Sequence, residues 1–123
     1  MTNNNNNLFE EVNTKFFDNM NDNISMKTKV WGPPAWFFLH SVAMAYPKKI
    51  NNNNPEHIRI KNSMFTFLSH LGNILPCAIC GVSYSRYIRE PELSIEKYLD
   101  SRAKLSYFMW LIHEKVNDKL GVP

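Results

Sequence analysis

Leu8, Val12, Phe16 and Met20 recur at every fourth position, the stripe of a short amphipathic helix over residues 8–20. Glu10, Glu11 and Asp18 outweigh Lys15 there, which does not suit an anionic membrane surface. The stripe is expected to dock on the domain or on a partner chain, with residues 21–29 as a linker. From Val30 to Pro47 no residue carries a formal charge. The Gly-Pro-Pro near its start and His40-Ser41 in its middle favour a buried amphipathic helix over a membrane span. This helix is predicted to begin at "GPPAW", where proline suits a first turn, and to stop before Pro47. The next is predicted from Asn54 as cap and Pro55 as first residue to about Asn73, with Ile58, Phe65, Leu68 and Leu71 inward. A third begins right after Pro76 and ends near Pro91. A fourth runs from about Ser101 to Leu120 and stops at Gly121. Ser94 to Leu99 is expected to add one extra turn.

No alternating strand pattern of useful length appears, so the expected class is all-α, a small helical bundle. The asparagine runs Asn3–Asn7 and Asn51–Asn54 cannot bury apolar surface and read as a disordered start and a loop. Residues 1–29 are thus an Asn-rich extension with a possible short helix, and residues 30–123 are the folded domain. At 123 residues, 44% of them hydrophobic, the chain is long enough for one core. A net charge of +3 falls short of the dense Lys/Arg clustering of a nucleic-acid binder. The start, "MTNNNNN", lacks the basic and apolar regions of a signal peptide.

The two cysteines, Cys77 and Cys80, are too few for a disulfide scaffold. Their spacing at the start of a helix brings both sulfurs within bonding reach. The helix N-terminus favours the thiolate, the form that attacks disulfides. Other readings stand beside this one. A zinc site needs about four ligands, and His57 and His70 are badly spaced to complete it. A thioredoxin-like site needs a strand before the motif, and "LGNILP" continues a helix. Two inert thiols are the third. Elsewhere, Trp36 and His40 share a face of the first long helix, as His113 and Asn117 do on the last. Two such faces can sandwich a planar ring system, with Trp36 stacking and Asn117 offering a donor and an acceptor. Tryptophan in an apolar stripe also serves as ordinary core.

The segments "WGPPAWFFLHSVAMAYP", "PCAICGVSYSRYI" and "HEKVNDKLG", in this order, resemble the Erv/ALR family of flavin-linked sulfhydryl oxidases. The "WGP" entry and single cysteine pair are most similar to its large-DNA-virus branch. The resemblance covers about residues 30 to 121. It implies a four-helix bundle with a short fifth helix, usually a homodimer, holding FAD in the bundle mouth. Gly32, Trp36 and His40 would line the cofactor from the first long helix, and His113, Val116, Asn117 and Leu120 from the last. Cys80 would lie against the flavin, and Cys77 would exchange with incoming thiols. The implied activity is oxidation of protein thiols to disulfides, with electrons passing to FAD and then to molecular oxygen to give hydrogen peroxide. From the residues themselves, no metal, nucleic acid or membrane is expected as a partner. The alternative is a non-enzymatic helical interaction module that kept the fold.

The chain departs from the family pattern in several places. With two cysteines it has no second, shuttle disulfide, so thiol-containing protein substrates reach the pair directly or through a separate thioredoxin-like relay protein. Leu75 stands where many members have an aromatic residue. Val122 stands where many have a lysine near the FAD phosphates, with Lys119 as the candidate substitute. The family's cofactor-binding tail does not follow Pro123, which points to a minimal or truncated form. Host cytoplasm and virion both remain open as locations, since disulfide formation in a cytosol runs against the usual compartment rule.

Overall fold

Helices account for the regular structure of the described residues, 4–13 and 28–120 of the computed structural model, apart from one bridge between Lys49 and Ser101. The α-helices are α1 (Asn4–Asn13), α2 (Thr28–Met44), α3 (Pro55–His70), α4 (Ala78–Tyr87) and α5 (Arg102–Leu120). Tighter 3₁₀ turns cover Leu71–Asn73, Pro91–Leu93 and Ile95–Tyr98. The chain divides into two units, Met1–Pro33 and Pro34–Pro123. The all-α class and the bundle of four longer helices are as expected, and the extra turn expected over Ser94–Leu99 is the 3₁₀ turn Ile95–Tyr98.

In the first unit, α1 starts at Asn4, inside the asparagine run expected to be disordered. Asparagine is a poor interior helix former but suits a first turn, where backbone N–H groups lack intrahelical partners. Leu8, Phe9 and Val12 are more than half exposed. Phe16 and Met20 lie outside the described residues. Helix α2 starts at Thr28, ahead of the proline pair expected to open it. Proline removes an N–H donor from a helix interior, and the boundary between the units falls between Pro33 and Pro34.

The second unit is built on a row along α5. Leu105, Phe108, Met109 and Ile112 are almost fully buried and recur at helical spacing. Against them pack Leu39, Ala43 and Tyr46, then Leu68 and Leu71, Tyr84, and Leu93, Ile95 and Leu99. Helix α3 begins as predicted: the Asn54 side chain accepts from the N–H groups of Glu56 and His57, and Pro55 needs no acceptor at the first position. Its α-helical part stops at His70, and the Leu71–Asn73 turn completes the expected span. Phe65, expected inward, is 38% exposed; Leu68 and Leu71 define the buried face instead, with Ile58 intermediate. Helix α4 ends at Tyr87, before the expected stop, because Ile88 to Glu90 turn the chain toward Pro91.

One set of contacts fixes how α2 meets α5. The buried Tyr46 hydroxyl donates to the Leu99 carbonyl at 2.7 Å. Arg102 Nε donates to the Tyr46 carbonyl at 2.7 Å, and the Ile50 N–H to the Asp100 carbonyl at 2.8 Å. The end of α2 is thereby held to the start of α5. At 1.5 Å rise per residue, roughly 15 Å along each helix from this clamp brings Trp36 and His113 level.

Replacing Tyr46 with phenylalanine keeps the ring but leaves the buried Leu99 carbonyl without its donor. The expected cost is about 1–2 kcal/mol, read as a lower urea midpoint with an unchanged slope. An unchanged midpoint would contradict the assigned role.

Candidate functional site

Where α2 and α5 come level, three aromatic rings meet. Trp36 and His113 stack with centroids 4.1 Å apart and planes 11° from parallel. His40 lies 5.4 Å from His113, tilted by 38°, and its Nε2 is 3.2 Å from His113 Nδ1. One of these nitrogens donates and the other accepts, so at least one imidazole is neutral. Burial holds the His113 pKa below its ordinary 6.5; the neighbouring His40 pushes the same way, and Glu114 opposes both. The two faces predicted to flank a planar group thus touch directly. Nothing planar fits between rings in van der Waals contact, so a bound ring system must stack beside the pair or part it.

Other predicted residues extend the same end of α5. Val116 is one turn beyond buried Ile112 and continues the core-facing row. Asn117 is one turn beyond His113, half-buried, and its amide makes no hydrogen bond to another described residue. The Leu120 side chain lies outside the described residues. Gly32 belongs to the first unit, where a Cβ would meet only Thr28 Cγ2 at 3.6 Å, an ordinary contact.

The cysteines open α4 as predicted. Cys77 is the N-cap, with extended backbone (φ −144, ψ 113). Its Sγ accepts from the Cys80 N–H at 3.3 Å, and its carbonyl accepts from the Gly81 N–H at 3.0 Å. A sulfur that caps a helix N-terminus sits where negative charge is stabilised. Both cysteines are partly exposed.

Cys80, Ser83 and Tyr87 share one face of α4, and α5 lysines reach Ser83 and Tyr87 on it. Lys119 Nζ donates to the buried Ser83 hydroxyl. Lys115 Nζ stands 5.8 Å from the Tyr87 ring centre and 3.0 Å from Glu90 Oε1. That hydrogen bond lowers the Glu90 pKa and raises that of Lys115. Helix α5 therefore meets Ser83 and Tyr87 of α4 through Lys119 and Lys115, and Trp36 and His40 of α2 through His113. Val116 continues the row between them. Ser83, Tyr87, Lys115 and Glu90 were not singled out from the sequence, although the spacing of Cys80, Ser83 and Tyr87 was a readable signal. Lys119, expected near cofactor phosphates, bonds to Ser83 in this structure. His57, weighed as a zinc ligand, accepts through Nδ1 from the Asn51 N–H at 3.0 Å. No helix among the described residues is long and apolar enough to cross a membrane.

Comparison with known proteins places the chain in a family. Residues 33–123 match the Erv1/Alr family model. The chain is 36% identical over 92 residues to the mitochondrial FAD-linked sulfhydryl oxidase ERV1 of Saccharomyces cerevisiae, covering 75% of this chain and 43% of that protein. It is 32% identical over 96 residues to a probable FAD-linked sulfhydryl oxidase of Acanthamoeba polyphaga mimivirus, covering 78% and 62%. A putative FAD-linked sulfhydryl oxidase of Invertebrate iridescent virus 3 is 31% identical over 100 residues, covering 81% and 62%. The chain thus spans between 43% and 62% of the length of these curated relatives. Among solved structures, the yeast Erv1 core superposes with a TM-score of 0.66 at 33% identity, covering 79% of this chain and 74% of that one. The FAD-binding domain of yeast Erv1 superposes with 0.62 at 35% identity, covering 75% and 78%.

The histidine contact has a pH signature. A histidine whose folded pKa is depressed contributes stability that is complete above its ordinary 6.5 and is lost as pH falls through the folded value. The unfolding midpoint should fall between about pH 7 and about pH 5. His113→Phe keeps a ring against Trp36 but has no proton to bind, so its midpoint should fall less over that range. Equal pH dependence in the two proteins would contradict the reading.

Proposed function

The chain belongs to the Erv1/Alr family, and on that premise we propose that it is an FAD-dependent thiol oxidase that forms disulfides in protein substrates. The observation that carries this reading is that α5 meets both α4, the helix that the cysteine pair opens, and the Trp36–His113–His40 cluster. The cluster is suited to a planar, polar-edged cofactor.

The residues present fit FAD. Trp36 and His113 offer flat faces for stacking. His40 and Asn117 offer ring-edge donors and acceptors, and Val116 an apolar contact between the two flanks. Gly32 and Leu120 complete the candidate set by position in the family motifs. Lys119 joins it as a cation for the diphosphate only when its bond to Ser83 opens. Bound there, FAD would supply a two-electron acceptor for the reduced pair and hand those electrons to molecular oxygen, giving hydrogen peroxide.

The chain's own part is thiol–disulfide exchange. With Cys77 and Cys80 joined, a substrate thiolate attacks Cys77 Sγ; a mixed disulfide forms and the Cys77–Cys80 bond breaks, leaving its electron pair on Cys80. A second substrate thiolate attacks the substrate sulfur of the mixed disulfide. The substrate leaves as a disulfide, and Cys77 departs as a thiolate. Two substrate thiols are oxidised and one protein disulfide is reduced to two thiols, so electrons balance. The helix N-terminus stabilises negative charge on Cys77, which makes it the better leaving group in the second step. Thiol-bearing polypeptides, or a thioredoxin-like relay carrying their electrons, are the substrates this chemistry takes.

We also infer a homodimer through α2 and α3. Phe37, Phe38 and Met44 are 77%, 58% and 62% exposed, more apolar surface than one core needs. Beside them, Phe38 and Val42 border an apolar groove with Ile60, Met64 and Phe67. Light scattering at micromolar concentration should give twice the chain mass, and a monomeric mass would refute the dimer.

The cysteine roles have a spectroscopic test. Cys77→Ser leaves the Cys80 thiolate beside oxidised flavin and should show a broad long-wavelength charge-transfer band. Cys80→Ser should lack it, and both variants should lose turnover. A band only in Cys80→Ser would reverse the roles, and full activity in either variant would overturn the mechanism.

A further inference from the structure

Two glycines hold the cysteine turn by backbone contact alone. Gly81 directly follows Cys80, and Gly72 lies in the Leu71–Asn73 turn that ends α3. A Cβ at Gly81 would stand under 3.0 Å from the Gly72 carbonyl oxygen and 3.3 Å from its carbonyl carbon. A Cβ at Gly72 would stand 2.8 Å from the Gly81 carbonyl oxygen and 3.3 Å from Tyr84 Cδ2, with Ser85 Oγ nearer still. The conflict at Gly81 is with main chain, which cannot rotate away as a side chain can. Neither partner is loose. Leu71 is buried, the Ile74 N–H donates to the Leu71 carbonyl at 3.1 Å, and the Tyr84 hydroxyl donates to the Leu68 carbonyl at 2.7 Å.

We propose that Gly72 and Gly81 are positioning residues for the redox pair, their backbone contact fixing where the first turn of α4 stands against the Leu71–Asn73 turn and so where the cysteines are presented. The proposal rests on the flavin reading of that site. One methyl group at Gly81 must push α4 away from the Leu71–Asn73 turn by roughly 1 Å to restore ordinary contact. The turn moves as a unit, because the bonds from Gly81 N–H to the Cys77 carbonyl and from Cys80 N–H to Cys77 Sγ lie within it. Chemistry inside the pair is therefore retained, while its approach to a bound ring is spoiled. A misplacement of about 1 Å can slow a reaction by about a hundredfold.

The test places Gly81→Ala in the Cys77→Ser background and reads the charge-transfer band of the FAD-loaded protein. The band should vanish with flavin content unchanged. Leu93→Ala, which opens a hole in the core outside both the clamp and α4, should lower the unfolding temperature and keep the band. With both cysteines present, the flavin-free Gly81→Ala protein should keep the wild-type Cys77–Cys80 reduction potential in glutathione buffers. Its bound flavin should nevertheless be reduced by dithiothreitol at least about tenfold more slowly than in wild type. Should Gly81→Ala fail to fold, Gly72→Ala with Ser85→Ala presses the same contact more gently and should weaken the band. A full band in whichever of these variants folds, or a shifted potential in flavin-free Gly81→Ala, overturns the proposal. Absence of the band in Cys77→Ser itself defeats the flavin reading first, and the proposal with it.

Discussion

Everything at the candidate site depends on the clamp between the end of α2 and the start of α5. Tyr46 is buried with its hydroxyl on the Leu99 carbonyl, and Arg102 returns a bond to the Tyr46 carbonyl. These bonds set the register of two helices that diverge in sequence by more than fifty residues. Hydrophobic burial along the Leu105–Ile112 row holds the helices together but is nearly indifferent to sliding. Directed hydrogen bonds to buried carbonyls are not, because a slip leaves a buried acceptor unmade. From that fixed end, helical rise alone brings Trp36 to His113.

The site that results places unlike chemistry on two flanks of one helix. On the α2 side, burial holds His113 below its ordinary pKa and its ring stacks on Trp36, a surface suited to a flat ring. On the α4 side, Cys77 caps a helix N-terminus while Cys80 shares its face with Ser83 and Tyr87, which α5 lysines reach. Neither flank has a function alone. A thiol pair without an electron acceptor turns over once, and an aromatic cleft without thiols only binds.

Much of this was legible in the sequence where local chemistry decides. Asn54-Pro55 marks a helix start by capping, and Pro76 marks the start of α4, so the cysteines were placed correctly. The i,i+4 pairs Trp36/His40 and His113/Asn117 identified the two faces. Their direct stacking was not legible, since it depends on the interhelical register. Phe65 was misread because its spacing fits the α3 stripe, while the buried face is set by what α3 packs against. The engagement of Lys119 by Ser83 and the meeting of Gly72 with Gly81 are both tertiary. No periodicity within one segment reports a contact between two.

The most direct test of the central claim, that α5 joins a thiol pair to a flavin site, is an anaerobic titration of the purified chain with a small dithiol, followed by visible absorbance. The account predicts a yellow protein whose flavin absorbance bleaches promptly, and a yellow Cys77→Ser/Cys80→Ser double variant whose absorbance persists. A colourless protein that takes up no FAD, or equally prompt bleaching in the double variant, would contradict it.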